Sequence, residues 1–211
     1  MFEKAFGLAA SLYISFVHKT SKIEMTGEGI DALNGTEKYV VGFWHGESGA
    51  LYPVLGHTGS YIITTVNSRG SLIDAVGRRF GYKSIRLPDE FEGQNHIFKV
   101  RNLINGPDAG HLAMTIDGPL GPRHECKKLP LVIALASKRR FVFLSIRAKR
   151  TKRMNRRWDK FSFPLPFNHY EFCFHAPMTV KKDDIENLRE RIDAIGTGRD
   201  ANISIDSEVN A

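Results

Sequence analysis

Four short apolar runs constrain the fold more than any other feature of the chain: residues 39–44 (YVVGFW), 61–66 (YIITTV), 111–116 (HLAMTI) and 141–146 (FVFLSI). Each is too short for an ordinary helix and is rich in β-branched or aromatic residues. Their nearly continuous hydrophobicity is that of strands covered on both faces, as in a parallel sheet. The intervening segments read as helices. Ser71 with Asp74 resembles a cap opening a helix that runs to Phe80, where Gly81 stops it. Residues 94–104 form a second helical segment, and Pro130 lies in the first turn of a third that reaches about Ser137. Residues 83–87 and 170–174 are further strand candidates, and Ile185, Leu188, Ile192 and Ile195 mark one face of a closing helix. This alternation predicts one α/β domain over residues 23–195, with a mixed, mostly parallel central sheet flanked by helices. Residues 1–22 precede it as an amphipathic helix, and 196–211 follow as a polar tail expected to fray.

With 211 residues, 42% of them hydrophobic, the chain has material for one well-packed core. The formal charge of +7 favours a polyanionic neighbour, whether a membrane surface, nucleic acid or a phosphorylated substrate. Cys126 and Cys173 stand alone, so neither a disulfide framework nor a zinc knuckle is indicated, and a reducing compartment is expected. No apolar run reaches the ~20 residues that span a bilayer. Residues 5–17 resemble a signal peptide in hydrophobicity, but His18-Lys19-Thr20-Ser21-Lys22 follows where a small-residue cleavage site would lie, so the segment is expected to be retained. On a helix, Lys4, Gly7, Ser11, Ser15 and His18 form a narrow stripe, with Phe6, Leu8, Leu12, Tyr13, Phe16 and Val17 around the rest. Two readings stand open: a helix packed on its own domain, or one lying in the membrane interface with basic residues at its ends.

Ligands of such sheets gather at the carboxyl ends of the strands, and two strand ends here carry polar chemistry. One is 43–48 (FWHGES) and the other 117–123 (DGPLGPR). An imidazole takes a proton from a hydroxyl near neutral pH, which makes His45 a candidate general base. Asp117 has two readings, as a ligand-binding acid or as a carboxylate bonded to its own turn. The remaining histidines form no zincin-like cluster, so no metal is predicted, and the glycines lack the spacing of a nucleotide fingerprint.

Three segments in order, FWHGE (43–47), DGPLGPR (117–123) and RRWDKFSFPLPF (156–167), resemble the bacterial DUF374 family, a branch of the lysophospholipid acyltransferase-like superfamily. The likeness runs from the N-terminal helix to about Pro177. It implies an acyltransferase-like fold and transfer of an acyl group from a thioester to a hydroxyl of a lysophospholipid-like or glycolipid acceptor. The donor would be acyl-CoA or an acyl carrier protein, with no tightly bound cofactor. His45 would be the base; Asp117, Gly118 and Pro119 would match the acceptor-binding block, and Arg123 would meet an acceptor phosphate. The implied place is peripheral, on the cytoplasmic face of the inner membrane. The superfamily's orienting aspartate, five positions after the histidine, is replaced by Ala50, and Leu120 stands where related chains often have arginine. Glu47 is the nearest acid to His45 in sequence and is taken as its partner. These departures motivate a second reading, a noncatalytic lipid-binding relative.

From Lys138 to Lys160 there are eleven Lys or Arg residues and one acid, Asp159. Trp158, Phe161, Phe163 and Phe167 interleave with this charge. Anionic lipid and RNA phosphates both fit such a stretch. No nucleic-acid module accompanies it, so anionic membrane lipid is the preferred partner and polyanion or RNA binding ranks last.

Overall fold

The four apolar runs become neighbouring strands in the computed structural model, which describes residues 2–56, 59–88 and 94–198. In chain order the strands are β1 (Lys22–Thr26), β2 (Val40–Phe43), β3 (Tyr61–Thr65), β4 (Lys83–Leu87), β5 (Leu112–Thr115), β6 (Phe141–Ala148), β7 (Lys152–Arg153), β8 (Ser162–Phe163) and β9 (His169–Phe174). Seven form one sheet in the order β1-β9-β6-β2-β5-β3-β4, while β7 and β8 make a small antiparallel hairpin. Every pairing in the large sheet is parallel except β6 with β9. The mixed, mostly parallel sheet expected from the sequence is the one observed.

The helices are α1 (Phe2–Thr20), α2 (Gly29–Asn34), α3 (Tyr52–Leu55), α4 (Ser68–Arg79), α5 (Gln94–Ile104), α6 (Lys128–Ser137) and α7 (Ile185–Thr197), and a 3-10 turn spans His45–Ala50. They cover both faces of the sheet. Ile14 and Val17 of α1, Leu55 of α3 and Val76 of α4 pack on Val41, Leu144 and Phe172. On the other face Val100 and Ile104 of α5, Leu131 and Ile133 of α6, and Leu188 and Ile192 of α7 enclose Val40, Phe141 and Phe143. Both faces of the central strands are therefore dry, which is why their sequences do not alternate.

Helix α4 starts earlier than its sequence indicates. Its cap is Asn67, whose side chain accepts from the Gly70 amide at 2.9 Å, whereas Asp74 lies within the helix and binds Arg78. The serine at 71 is itself helical, so the predicted cap is corrected by one turn. Of the polar tail, residues 196–197 close α7 and residues 199–211 lie outside the described residues.

The stripe on α1 is oriented opposite to its polarity. Gly7, Ser11, Ile14 and Val17 are buried, while Phe6, Leu8, Leu12 and Phe16 are exposed. Small residues, rather than large apolar ones, allow the close approach: a Cβ at Gly7 would stand 2.9 Å from both the Cβ and the carbonyl oxygen of Ala75 in α4. The helix thus packs on its own domain and also presents an apolar outer face. Among the described residues, no helix is long and apolar enough to cross a membrane.

Gly7→Leu is expected to destabilise the protein by roughly 1–3 kcal/mol in urea unfolding, because the added side chain forces α1 from α4. Leu8→Ala, on the outer face, should change stability by no more than about 0.5 kcal/mol.

Candidate active site

Strands β2 and β5 are parallel neighbours, with Val40 opposite Leu112 and Phe43 opposite Thr115. This offset of register carries through to the loops, so His45 and Asp117 leave the sheet side by side. The Asp117 carboxylate accepts from the His45 backbone amide at 2.9 Å, and the Ile116 amide donates to the Phe43 carbonyl at 3.0 Å. Asp117 is fully buried, and burial raises its carboxyl pKa against the opposing pull of the His45 amide. It lies beneath the loop and fastens one to the other. Gly118 turns the chain with φ of 69°, Pro119 and Leu120 are exposed at the tip, and Arg123 is half-buried on the return. That return is tied to α7: the Cys126 amide donates to Asp193 at 2.7 Å, and Arg189 donates to the Cys126 carbonyl at 2.6 Å.

The acid on His45 comes from a place the sequence reading did not consider. Asp159 Oδ2 lies 2.7 Å from His45 Nδ1, although 114 residues separate them. The Asp159 side chain has no exposed surface. Arg157 grips it through Nε to Oδ1 at 2.9 Å and Nη2 to Oδ2 at 2.8 Å, and the Phe161 amide donates to Oδ1 at 3.2 Å. Burial alone would raise this carboxyl, but Arg157 and His45 outweigh it and hold the pKa down to about 2. An ionised carboxylate only accepts, so the proton between them belongs to Nδ1 and the neutral ring keeps its lone pair on Nε2. The His45 side chain is 29% exposed, which leaves it accessible to a substrate.

Glu47, the expected partner, points elsewhere. Its carboxylate accepts from the Ile146 amide at 3.3 Å on β6, and burial pushes its pKa up to about 7. Two residues along the turn from His45, it lines a cavity between that turn and β6 rather than meeting the ring. The assignment of Glu47 as the acid on His45 is therefore corrected to Asp159.

Packing explains why the 156–161 segment lies across the loop. A Cβ at Gly46 would collide with the Asp159 carbonyl oxygen, so only glycine lets the two backbones approach this closely. Trp158 packs against His45 with the two rings tilted and their centroids 5.3 Å apart, and its indole also lies close against Gly121. A signal for this partner existed in the chain: Asp159 is the sole acid among eleven basic residues, next to a tryptophan, an unsuitable place for a merely solvating charge.

The fold is similar to that of a solved 1-acyl-sn-glycerophosphate acyltransferase, PlsC, from Thermotoga maritima, with a TM-score of 0.55 and 15% identity over 96% of this chain and 79% of that one. In sequence the chain is 25% identical over 181 residues to an uncharacterized protein of Rickettsia prowazekii, RP090, covering 83% of this chain and 81% of the relative. No family model matches the chain.

The depressed Asp159 pKa has a consequence for acid stability. A carboxyl lowered on folding stabilises the protein above its unfolded pKa of 3.8 and ceases to do so as pH falls through about 2. Acid titration followed by urea unfolding should show wild type losing about 2 kcal/mol over this window that Asp159→Asn does not lose.

Proposed function

We propose that this protein is a membrane-peripheral acyltransferase that moves an acyl group from a thioester, on coenzyme A or an acyl carrier protein, to a hydroxyl of a lysophospholipid-like or glycolipid acceptor. The observation that carries this reading is the bond from His45 Nδ1 to the buried Asp159 carboxylate, at the carboxyl end of a central strand. The likeness of fold to a lysophosphatidic acid acyltransferase supports the same chemistry. In this reading His45 Nε2 takes the proton of the acceptor hydroxyl as its oxygen attacks the thioester carbonyl. The C–S bond then breaks, the ester forms, and the imidazolium returns the proton to the departing thiolate. Asp159 holds the ring in the required tautomer and stabilises the imidazolium. Asp117 keeps the loop in place, while Gly118, Pro119 and Arg123 form the acceptor rim. The noncatalytic alternative rested on Ala50 and Leu120, and Asp159 answers the first by supplying a carboxylate where Ala50 does not.

The outer face of α1 supports a membrane location. Leu12 is 61% exposed and Phe16 47%; Phe16 meets Phe167 edge-on at 6.0 Å, and Phe167 is 67% exposed. Tyr13 packs on Phe163 at 5.5 Å, so α1 and the 161–167 segment share one apolar surface. Arg150 donates to the Phe167 carbonyl, placing a cation at its edge. An apolar face bordered by cations matches the acyl and phosphate layers of an anionic bilayer.

His45→Ala is expected to lower kcat by about 10²–10⁴-fold in an assay over acyl-CoA and acyl carrier protein donors with lysolipid and glycolipid acceptors. Asp159→Asn should lower it by at least about 10²-fold with little change in KM, since the lost bond acts through the ring. Turnover in both variants equal to wild type would reject the proposed base and its acid.

Co-sedimentation with phosphatidylglycerol vesicles gives a second measurement. Leu12→Glu with Phe16→Glu should reduce the bound fraction by at least about tenfold, because each exchange withdraws roughly 1.5–3 kcal/mol of apolar burial. Unchanged binding would remove α1 from the membrane surface.

A further inference from the structure

Asp159 is fully buried and meets two groups that can carry positive charge. Arg157 forks onto it, with Nε on Oδ1 at 2.9 Å and Nη2 on Oδ2 at 2.8 Å, and His45 Nδ1 shares that second oxygen at 2.7 Å. Among the described residues, no other cation lies within salt-bridge distance of this carboxylate. A buried carboxylate requires a counter-charge, so it falls to one of these two. Which of them supplies it matters to the chemistry. An imidazolium carries a proton on each nitrogen and has no lone pair to offer, whereas a guanidinium stays charged at any ordinary pH and takes no part in proton transfer. Arg157 is also held in place independently of the acid: its Cζ lies 5.3 Å from the Phe161 ring centroid, and its carbonyl accepts from the Lys160 amide at 3.1 Å. Its side chain is 44% exposed, so water solvates the rest of the guanidinium and the charge is held there at little cost.

We propose that Arg157 is a positioning residue for the base: it is the standing counter-ion of Asp159 and thereby leaves His45 neutral, with a lone pair on Nε2. Without Arg157 the buried carboxylate recruits the imidazole as its counter-ion, and the second proton falls on Nε2. The bond from Nδ1 to Asp159 is kept in both cases; the opposite nitrogen is what changes. That Nε2 serves an acceptor hydroxyl rests on the acyl-transfer reading, but the protonation state of the ring does not. The other charged or titratable groups on the elements around the His45 turn are Glu47 on the turn itself, Asp117, Arg123 and His124 from the loop after β5, Lys160 beside Asp159, and His18 of α1. All of them are common to wild type and to a protein altered at Arg157. A difference between the two therefore reports the guanidinium.

Nitrogen-15 NMR of the full chain labelled at histidine reads the state of each ring nitrogen without turnover, and the His45 signals are those missing from His45→Ala. At about pH 7 wild type should show a neutral His45 ring with its proton on Nδ1. Arg157→Gln, which keeps polarity but removes the charge, should raise the ratio of doubly protonated to neutral His45 by about tenfold or more. Arg157→Met, which keeps packing on Phe161, carries the same expectation and stands in if the glutamine variant fails a thermal melt. Arg157→Lys, which retains the charge, should stay near wild type, as should Arg156→Gln at the exposed neighbouring position. Adding Asp159→Asn to Arg157→Gln should return the ring to neutrality, because the carboxylate is what demands the second proton. His45 protonated as in wild type in a folded protein without the Arg157 charge would overturn the proposal, and so would extra protonation that persists in the double variant or appears equally in Arg157→Lys. Acyl-transfer assays add a separate readout: Arg157→Gln should lose turnover at about pH 7 and regain most of it near about pH 9 as the ring sheds its second proton, whereas a purely structural role lowers kcat at every pH. The NMR change in a protein without turnover rejects the acyl-transfer reading alone, and turnover without the NMR change rejects the role of Arg157 alone.

Discussion

A carboxylate without exposed surface must be satisfied where it stands, and Asp159 is satisfied by groups far apart in the chain. His45 arrives from the end of β2, while Arg157 and the Phe161 amide come from the same segment as the acid itself. Removing any of them leaves a buried charge under-compensated, so the whole 156–161 crossing is committed to one position over the His45 loop. Gly46 permits that crossing and Trp158 caps it. The arrangement that orders the imidazole is thereby the arrangement that holds the β7–β8 hairpin against the sheet.

The same crossing links the site to α1. Tyr13 donates to the Pro164 carbonyl at 2.8 Å, and His18 Nε2 lies 2.6 Å from the Ala50 carbonyl at the end of the His45 turn. Burial lowers the His18 pKa, so this histidine serves packing rather than a charged membrane contact. One helix therefore touches both segments that supply the histidine and its acid, while its outer face remains apolar. In the proposed reading, the surface that would engage lipid and the site that would take a lipid acceptor share this one helix.

Much of the fold was legible because the central strands carry their burial in their composition. Runs such as FVFLSI admit few alternatives once helical segments separate them, and the parallel sheet followed. The pairing of the 43–48 and 117–123 loops was legible for the same reason, since strand ends in such sheets converge. The cap of α4 was not: Asn67 and Ser71 carry similar capping chemistry, and the choice fell to the Thr65 hydroxyl, which donates to Asn67 Oδ1. Nor was the buried face of α1, because its hydrophobic pattern favours the large residues while close contact with Ala75 requires the small ones.

The sequence by itself determined the layered α/β architecture, the histidine loop and the rigid turn opposite it, because periodicity and turn chemistry are local properties. Which acid meets the histidine was decided only by tertiary structure. Neighbours along a chain need not face one another: Glu47, two residues from His45, turns to the Ile146 amide, while Asp159, 114 residues away, lies within hydrogen-bonding distance. A short turn fixes where each side chain points, and only the return of the chain across the sheet determines what stands there to meet it.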